Sequence, residues 1–428
     1  MTLHRTAASL ALALTWSSAA AAQLPVTRAQ AEQAALSSGT RVALARSDSA
    51  AALARIATAR ALPNPTLTAT YSKATPQGHV IMELPILDAL RTRGAKVGSA
   101  EASLRASRLT YASERIAALM EVDTTYTAAL AANARFRLSR QSARDADSLR
   151  IMTVRRRDAG DAADLDVDLA TVTAGQQVNT ATNDSLTYMS ALLTVQMLMG
   201  LPADSVSITL ADSLVLLPRD TASIRVALDS SGLMLTLPAP SGAAPSGAVS
   251  PANAPSVQAA AATLSAAELG VVVQQRSAFQ LPSITAGVEF GDPSGAEPGL
   301  LPTFGLAFPL PLFSRNQGPI AEAQAEREHA RILLMAARLD TRRRLIEGTR
   351  EREQLIAKVV RDRDLVVRAQ RVADRSLTAY REGASALPAV LEARRSAREV
   401  LTQYIDDLAA LLTVNAELRA LTQTVPVP

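Results

Sequence analysis

The chain carries one pattern twice. Leu62-Pro63-Asn64-Pro65 precedes the alternating segment TLTATYS, and Leu281-Pro282-Ser283 precedes a second one, ITAGVEF. Glu83-Leu84-Pro85-Ile86 returns as Ala307-Phe308-Pro309-Leu310, and Arg93-Gly94 returns as Gln317-Gly318. Ala159-Gly160-Asp161-Ala162 returns as Glu382-Gly383-Ala384-Ser385, and the run ALLTV at Ala191 returns at Ala410. Five landmarks keep one order at offsets of 219 to 224 residues. Such self-similarity predicts two equivalent structural units, 23–237 and 257–428. Between them Pro238 to Ser256 holds five Pro and two Gly among Ala and Ser, a composition that buries nothing and predicts a flexible linker.

Each unit has the same grammar. A helix (about Arg28–Leu62; about Val257–Phe279) leads into a strand pair, then a very long helix, a Gly-marked turn and a second long helix. No Gly or Pro interrupts Ser99 to Ala159, and only Gly348 interrupts Ile320 to Glu382. A helix over the first run alone reaches about 90 Å at ~1.5 Å per residue. Leu109, Ile116, Leu119, Tyr126 and Leu130 recur at coiled-coil spacing. Frequent Ala lets such helices approach closely.

The strands carry the aromatic residues. Five of the six Phe lie between Phe279 and Phe313. Ile284, Ala286, Val288 and Phe290 alternate with Thr285, Gly287 and Glu289, and Thr303-Phe304-Gly305-Leu306 alternates likewise. The first unit repeats the pattern with Leu67, Ala69 and Tyr71, then Val80, Met82 and Leu84. Period two with one apolar face is the pattern of a membrane-barrel strand or of a soluble hairpin with one buried face. Three further features favour the membrane. His4-Arg5, the apolar run Thr6–Trp16 and Ala20-Ala21-Ala22 fit a signal peptide over 1–22. The helices are longer than compact domains use. The duplication points the same way, and since no later segment has the ~18 uninterrupted apolar residues of a membrane helix, entry into a membrane would be by β-strands. The hairpins at about 66–87 and 284–312 are therefore expected to span as β-strands, with Tyr71, Phe290, Phe304, Leu306, Phe308 and Phe313 facing lipid or its interface. Four strands cannot close a barrel, and an open edge in lipid is costly, so other copies of the chain must complete it.

The segments LPNP at 62–65, LPSI at 281–284, PLPLFSRNQG at 309–318, RRDAGDAADLDVDLA at 156–170 and AYREGASALPAVLEA at 379–393 resemble the TolC-like outer membrane efflux family over essentially the whole mature chain. PLPLFSRNQG is most similar to the heavy-metal (cobalt–zinc–cadmium) efflux branch, although the Cys that many of its members lipidate is missing. The resemblance implies a mainly α chain with a small β part: a long α-helical coiled-coil barrel plus a transmembrane β-barrel shared by a homotrimer, four strands per chain. It implies a passive exit duct in the outer membrane, reaching into the periplasm. The partners would be a periplasmic adaptor protein and an inner-membrane pump of the RND type.

The resemblance also implies roles for residues. Gly160 and Asp161, and Gly383 and Ser385, would form the periplasmic tips where an adaptor docks. Tyr380 would bond Asp166 to hold the entrance shut. The two acids that follow the second Gly in the family fall on Ala389 and Glu392, and an arginine that assists the gate in some members is Ser385. The bland reading of the same residues is helix-end chemistry: Gly for a left-handed turn, Asp161 to Asp168 for a helix start, Tyr380 for a coiled-coil seam.

Several function classes find no support. With no Cys there are no disulfides, thiol catalysis or thiolate metal sites. The three His have no metal-ligand spacing, and no phosphate loop or cofactor motif is present. A formal charge of +4 over 428 residues, without a binding motif, does not indicate nucleic acid. A periplasmic coiled-coil adaptor and a soluble helical scaffold stay open as alternatives.

Overall fold

The computed structural model describes residues 24–73, 77–214, 251–290 and 299–423. The expected signal peptide and most of the expected linker, 238–250, lie outside them. A short strand β1 (Leu24–Val26) leads into helices α1 (Arg28–Ser38) and α2 (Thr40–Arg60), then strands β2 (Thr66–Tyr71) and β3 (Gly78–Leu84). Helix α3 (Ile86–Asp158) turns into α4 (Asp164–Leu198), and β4 (Ile208–Leu210) follows. The second half repeats the order with α5 (Pro255–Ser277), β5 (Ser283–Phe290), β6 (Leu301–Ala307), α6 (Gln317–Arg381) and α7 (Leu387–Thr422). The protein is mainly helical with a small β part, as expected.

Helix α3 runs for 73 residues and α6 for 65, about 110 and 100 Å at the α-helical rise. Helix α3 starts at Ile86, earlier than its Gly-free stretch suggests, and passes through Gly94 and Gly98. Each interior Gly costs about 1 kcal/mol relative to Ala, and packing of α2 and α5 along α3 offsets that. The leading helix expected over Arg28–Leu62 is two helices broken at Gly39, whose backbone is extended. Helix α5 starts at Pro255 after a single 3-10 turn at Pro251–Asn253. The last six residues of the expected linker are thus ordered structure, and Pro255 at the first helical position is pre-set for a helix start. By length and composition α5 could cross a membrane. It contains Glu268 and packs against both α3 and α6, which makes it a bundle helix.

The helices pair as hairpins, α3 with α4 and α6 with α7, and α3 also lies against α7. The core is a string of small clusters along this length rather than one centre. The largest gathers Val26, Ala31, Val122, Tyr126, Leu192, Val195 and Ile208. There β1 pairs in parallel with β4 across 184 residues of sequence, a clasp that the sequence did not reveal. The Tyr126 hydroxyl reaches the Val26 carbonyl at 2.8 Å and Asp212 Oδ2 at 2.9 Å, which pins the clasp to α3.

The other four strands form one antiparallel sheet in the order β2-β3-β5-β6. Its base is tied to the helices. Arg91 of α3 donates to the Arg276 carbonyl at 2.6 Å, and Asn316 Nδ2 donates to the Gln274 carbonyl at 2.7 Å. Both carbonyls belong to the last turn of α5, where intrahelical donors run out. Asn316 holds a left-handed backbone (φ 62°) at the entry to α6, a conformation that Asn accepts more readily than most residues. Its polar reach and backbone tolerance together account for its place in the SRNQG stretch.

Candidate functional site

Two regions bring the expected site residues together: the sheet, and the far ends of the long helices.

Register assigns each strand residue to one face. Leu67, Met82, Ala286 and Phe304 stand in one row across the four strands; Leu84, Ile284 and Leu306 form another, and Ala69, Val80, Val288 and Pro302 a third. Tyr71 and Phe290 lie on this face too, at its end. The opposite face is polar or small in most rows: Thr66, Glu83, Thr285 and Gly305; Thr68, Ile81, Gly287 and Thr303; Thr70, His79, Glu289 and Leu301. On it His79 Nδ1 sits 3.5 Å from Glu289, and Ser283 donates to Glu83. The apolar face has no cover among the described residues: Phe304 is 80% exposed, and Leu67, Tyr71 and Leu306 are also exposed. Phe308 and Phe313 lie past the end of β6 at Ala307, both exposed. Pro309 and Pro311 carry no backbone N–H and cannot extend the ladder, so of the two places expected for these rings, lipid or its interface, the interface is the one that a position past the strand end fits.

At the other end, α3 and α6 stop in the same way. The Gly160 N–H bonds the Arg157 carbonyl and the Asp161 N–H bonds the Arg156 carbonyl, at 2.9 and 2.8 Å. The Gly383 N–H bonds the Tyr380 carbonyl and the Ala384 N–H bonds the Ala379 carbonyl, at 3.1 and 2.8 Å. Gly160 has φ +84° and Gly383 φ +75°. Both ends are Schellman turns, in which a left-handed residue lets two successive N–H groups cap the last carbonyls. Asp164 and Asp166 open α4 and suit its positive end. Asp161 is exposed, Ser385 is half-buried, and Glu392 pairs with Arg395 at 3.3 Å on an exposed face.

Tyr380 is buried at 3% exposure, packed with Leu149, Ala170, Leu387 and Val390. Its hydroxyl lies 3.2 Å from Thr153 Oγ1 on α3. The Tyr380–Asp166 bond is therefore not made within the chain. The side chain turns toward the last turns of α3, and Asp166 stays half-buried at the start of α4. Arg156 supplies the link that sequence reasoning missed. It donates to the Tyr380 carbonyl at 2.6 Å, and its guanidinium lies 4.7 Å from the Tyr380 ring centre. One side chain thus caps the end of the other hairpin and stacks on its tyrosine. The equivalent position in the second unit is Ala379, so symmetry offered no clue. Among the described residues no three His, Asp or Glu are grouped to hold a metal ion.

Residues 250–423 match the family model for outer membrane efflux proteins. The match covers the second unit up to residue 423 and bears out the resemblance read from its motifs. No curated protein matches the sequence. Among solved structures, the outer membrane protein VceC of Vibrio cholerae is 15% identical with a TM-score of 0.71, over 93% of this chain and 96% of that one. The CmeC outer membrane channel of Campylobacter jejuni is 13% identical with a TM-score of 0.70, over 99% and 94%. CusC, described for its transmembrane channel formation, is 14% identical with a TM-score of 0.68, over 94% of each chain. At these identities the efflux-channel likeness is one of fold.

Proposed function

We propose that three copies of this chain form a passive exit duct of the outer membrane, open to the periplasm through their helical section. The observation that carries this reading is the four-stranded sheet, apolar on one face throughout, with β2 and β6 as unpaired edges. A lone sheet in lipid would leave the N–H and C=O groups of two edges unsatisfied, at several kcal/mol each. Pairing β6 of one copy with β2 of the next gives a closed barrel of twelve strands, apolar outside and mostly polar within. The family match and the likeness to outer membrane channels support the same assembly.

The chain is read as an exported protein with a signal peptide over 1–22 and two tandem units, 23–237 and 257–428. The Gly160 and Gly383 turns, with Asp161 and Ser385 beside them, form the periplasmic tips that dock an adaptor. An inner-membrane pump, of the RND type, supplies the energy, and the duct hydrolyses nothing. The entrance is held by Tyr380 through Thr153 and Arg156, with Asp166 and Glu392 facing the tip region as exposed or half-exposed acids. Reconstitution of the purified chain in a planar bilayer tests the reading: discrete, long-lived conductance steps are expected, and their absence from folded, membrane-inserted protein would contradict it.

A further inference from the structure

The seam between α6 and α7 buries more negative charge than its neighbours neutralise. Asp362 of α6 is 8% exposed and Asp407 of α7 is 5% exposed. Lys358, one turn before Asp362, donates to Asp407 Oδ1 at 2.6 Å, and Gln403 donates to the same oxygen at 3.0 Å. The second oxygen of each carboxyl, Asp362 Oδ2 and Asp407 Oδ2, is buried with no donor if both groups are ionised. Buried carboxylate oxygens are seldom left so, because each forfeits its hydration without replacement. Each carboxyl acts on the other as a hydrogen-bond partner. Two acceptors cannot bond one another unless one carries a proton.

Among the described residues, Lys358 is the one cation in contact with either carboxyl. Arg135 of α3 sits 2.9 Å from Asp406, the residue beside Asp407, and is engaged there. Arg361 of α6 acts on Asp362 through its charge, and the Tyr404 hydroxyl of α7 is buried without a hydrogen-bond partner among the described residues. We infer that Asp362 and Asp407 form a proton-binding site in which one shared proton ties α6 to α7 and whose emptying loosens this seam.

Burial, then the bond to Asp407 and its charge, push the Asp362 carboxyl up to about 6. Burial alone would also raise Asp407, but bonds from Asp362, Lys358 and Gln403 outweigh it and leave that carboxyl below its ordinary range. The folded chain therefore holds a proton that the unfolded chain releases at lower pH. The Asp362 contribution is fully present below the ordinary aspartate range and is lost as pH rises through about 6, a window over which Asp407 stays ionised and keeps its bond from Lys358. The inference goes beyond the duct reading and stands whether or not the channel conducts.

The test is an infrared pH titration of the full chain in detergent, as a difference between wild type and Asp362→Asn. The variant keeps a donor facing Asp407 but cannot ionise. The difference spectrum should show the C=O stretch of one protonated carboxyl, lost with a midpoint near pH 6. The thermal midpoint of wild type should fall across that range by more than the variant's. If Asp362→Asn fails to fold, Asp407→Asn serves as the reference. No carboxyl band in the difference spectrum, or one that titrates in the ordinary aspartate range, would overturn the inference, as would an Asp362→Asn variant whose thermal midpoint keeps the full pH dependence.

Discussion

Arg156→Ala removes the side chain that, among the described residues, joins the two helical tips through a charge-assisted bond. What it removes can be worked from the geometry. The bond to the Tyr380 carbonyl is short, 2.6 Å, and part-buried. Bonds to charged groups are worth about 1.5–3 kcal/mol when shielded, so the lower end applies. Stacking at 4.7 Å from the ring centre adds roughly 0.5–1 kcal/mol. The 3.5 Å contact to the Asp161 carbonyl is too long to count. The Tyr380 carbonyl keeps the Gly383 N–H, so no buried acceptor is orphaned and no further penalty follows. The total is about 2 kcal/mol, a roughly thirtyfold shift in the local opening equilibrium. Hydrogen–deuterium exchange of peptides from the last turns of α3 and α6 reads that equilibrium directly. Exchange there should quicken by about that factor, while β3 and β5 stay as they were. Arg156→Lys should fall between, because a single ammonium keeps the charge and loses the planar fork. Unchanged exchange at both tips in Arg156→Ala would refute the argument that this residue couples them.

Leu306→Arg places a charge on the apolar face of β6 and should cost about 2–4 kcal/mol if that row lies at mid-bilayer, seen as lost assembly in the outer membrane fraction. Thr303→Arg, on the opposite face of the same strand, should assemble. Gly160→Ala and Gly383→Ala should each cost about 1–2 kcal/mol in thermal or denaturant unfolding, since φ of +84° and +75° strains any L side chain. Glu32, pushed up to about 7 by burial and then by the charge of Asp123, holds a proton in the fold that the unfolded chain lacks. Its contribution is fully present below the ordinary glutamate range and is lost as pH rises toward 7. Unfolding midpoints of Glu32→Gln should vary less with pH over that window than those of wild type.

The features legible in the sequence are those whose signal is local. Period-two alternation placed all four sheet strands, and register then sorted Leu67, Met82, Phe304 and Leu306 onto one face, because one residue along a strand always changes face. The turns at Gly160 and Gly383 were legible because few other residues take a left-handed backbone at a helix end. Contacts between distant segments were not. Spacing from Gly383 placed Tyr380 on the last turn of α6 but could not tell whether α3 or α4 would face it. The structure puts it against Thr153 and Arg156, not Asp166. The three-residue clasp of β1 on β4 is too short to carry a period. The early start of α3 was hidden by Gly94 and Gly98, which tertiary packing overrides. Asp362 and Asp407 lie 45 residues apart on different helices, and only packing of α6 on α7 brings them into one buried seam.

The count of chains in the membrane-extracted particle tests the central claim most directly, because four strands with two bare edges cannot stand alone in lipid. Native mass spectrometry of the mature chain in mild detergent should find three copies and no folded single chain. A stable monomer that keeps its β-sheet signal and inserts into bilayers would contradict the account.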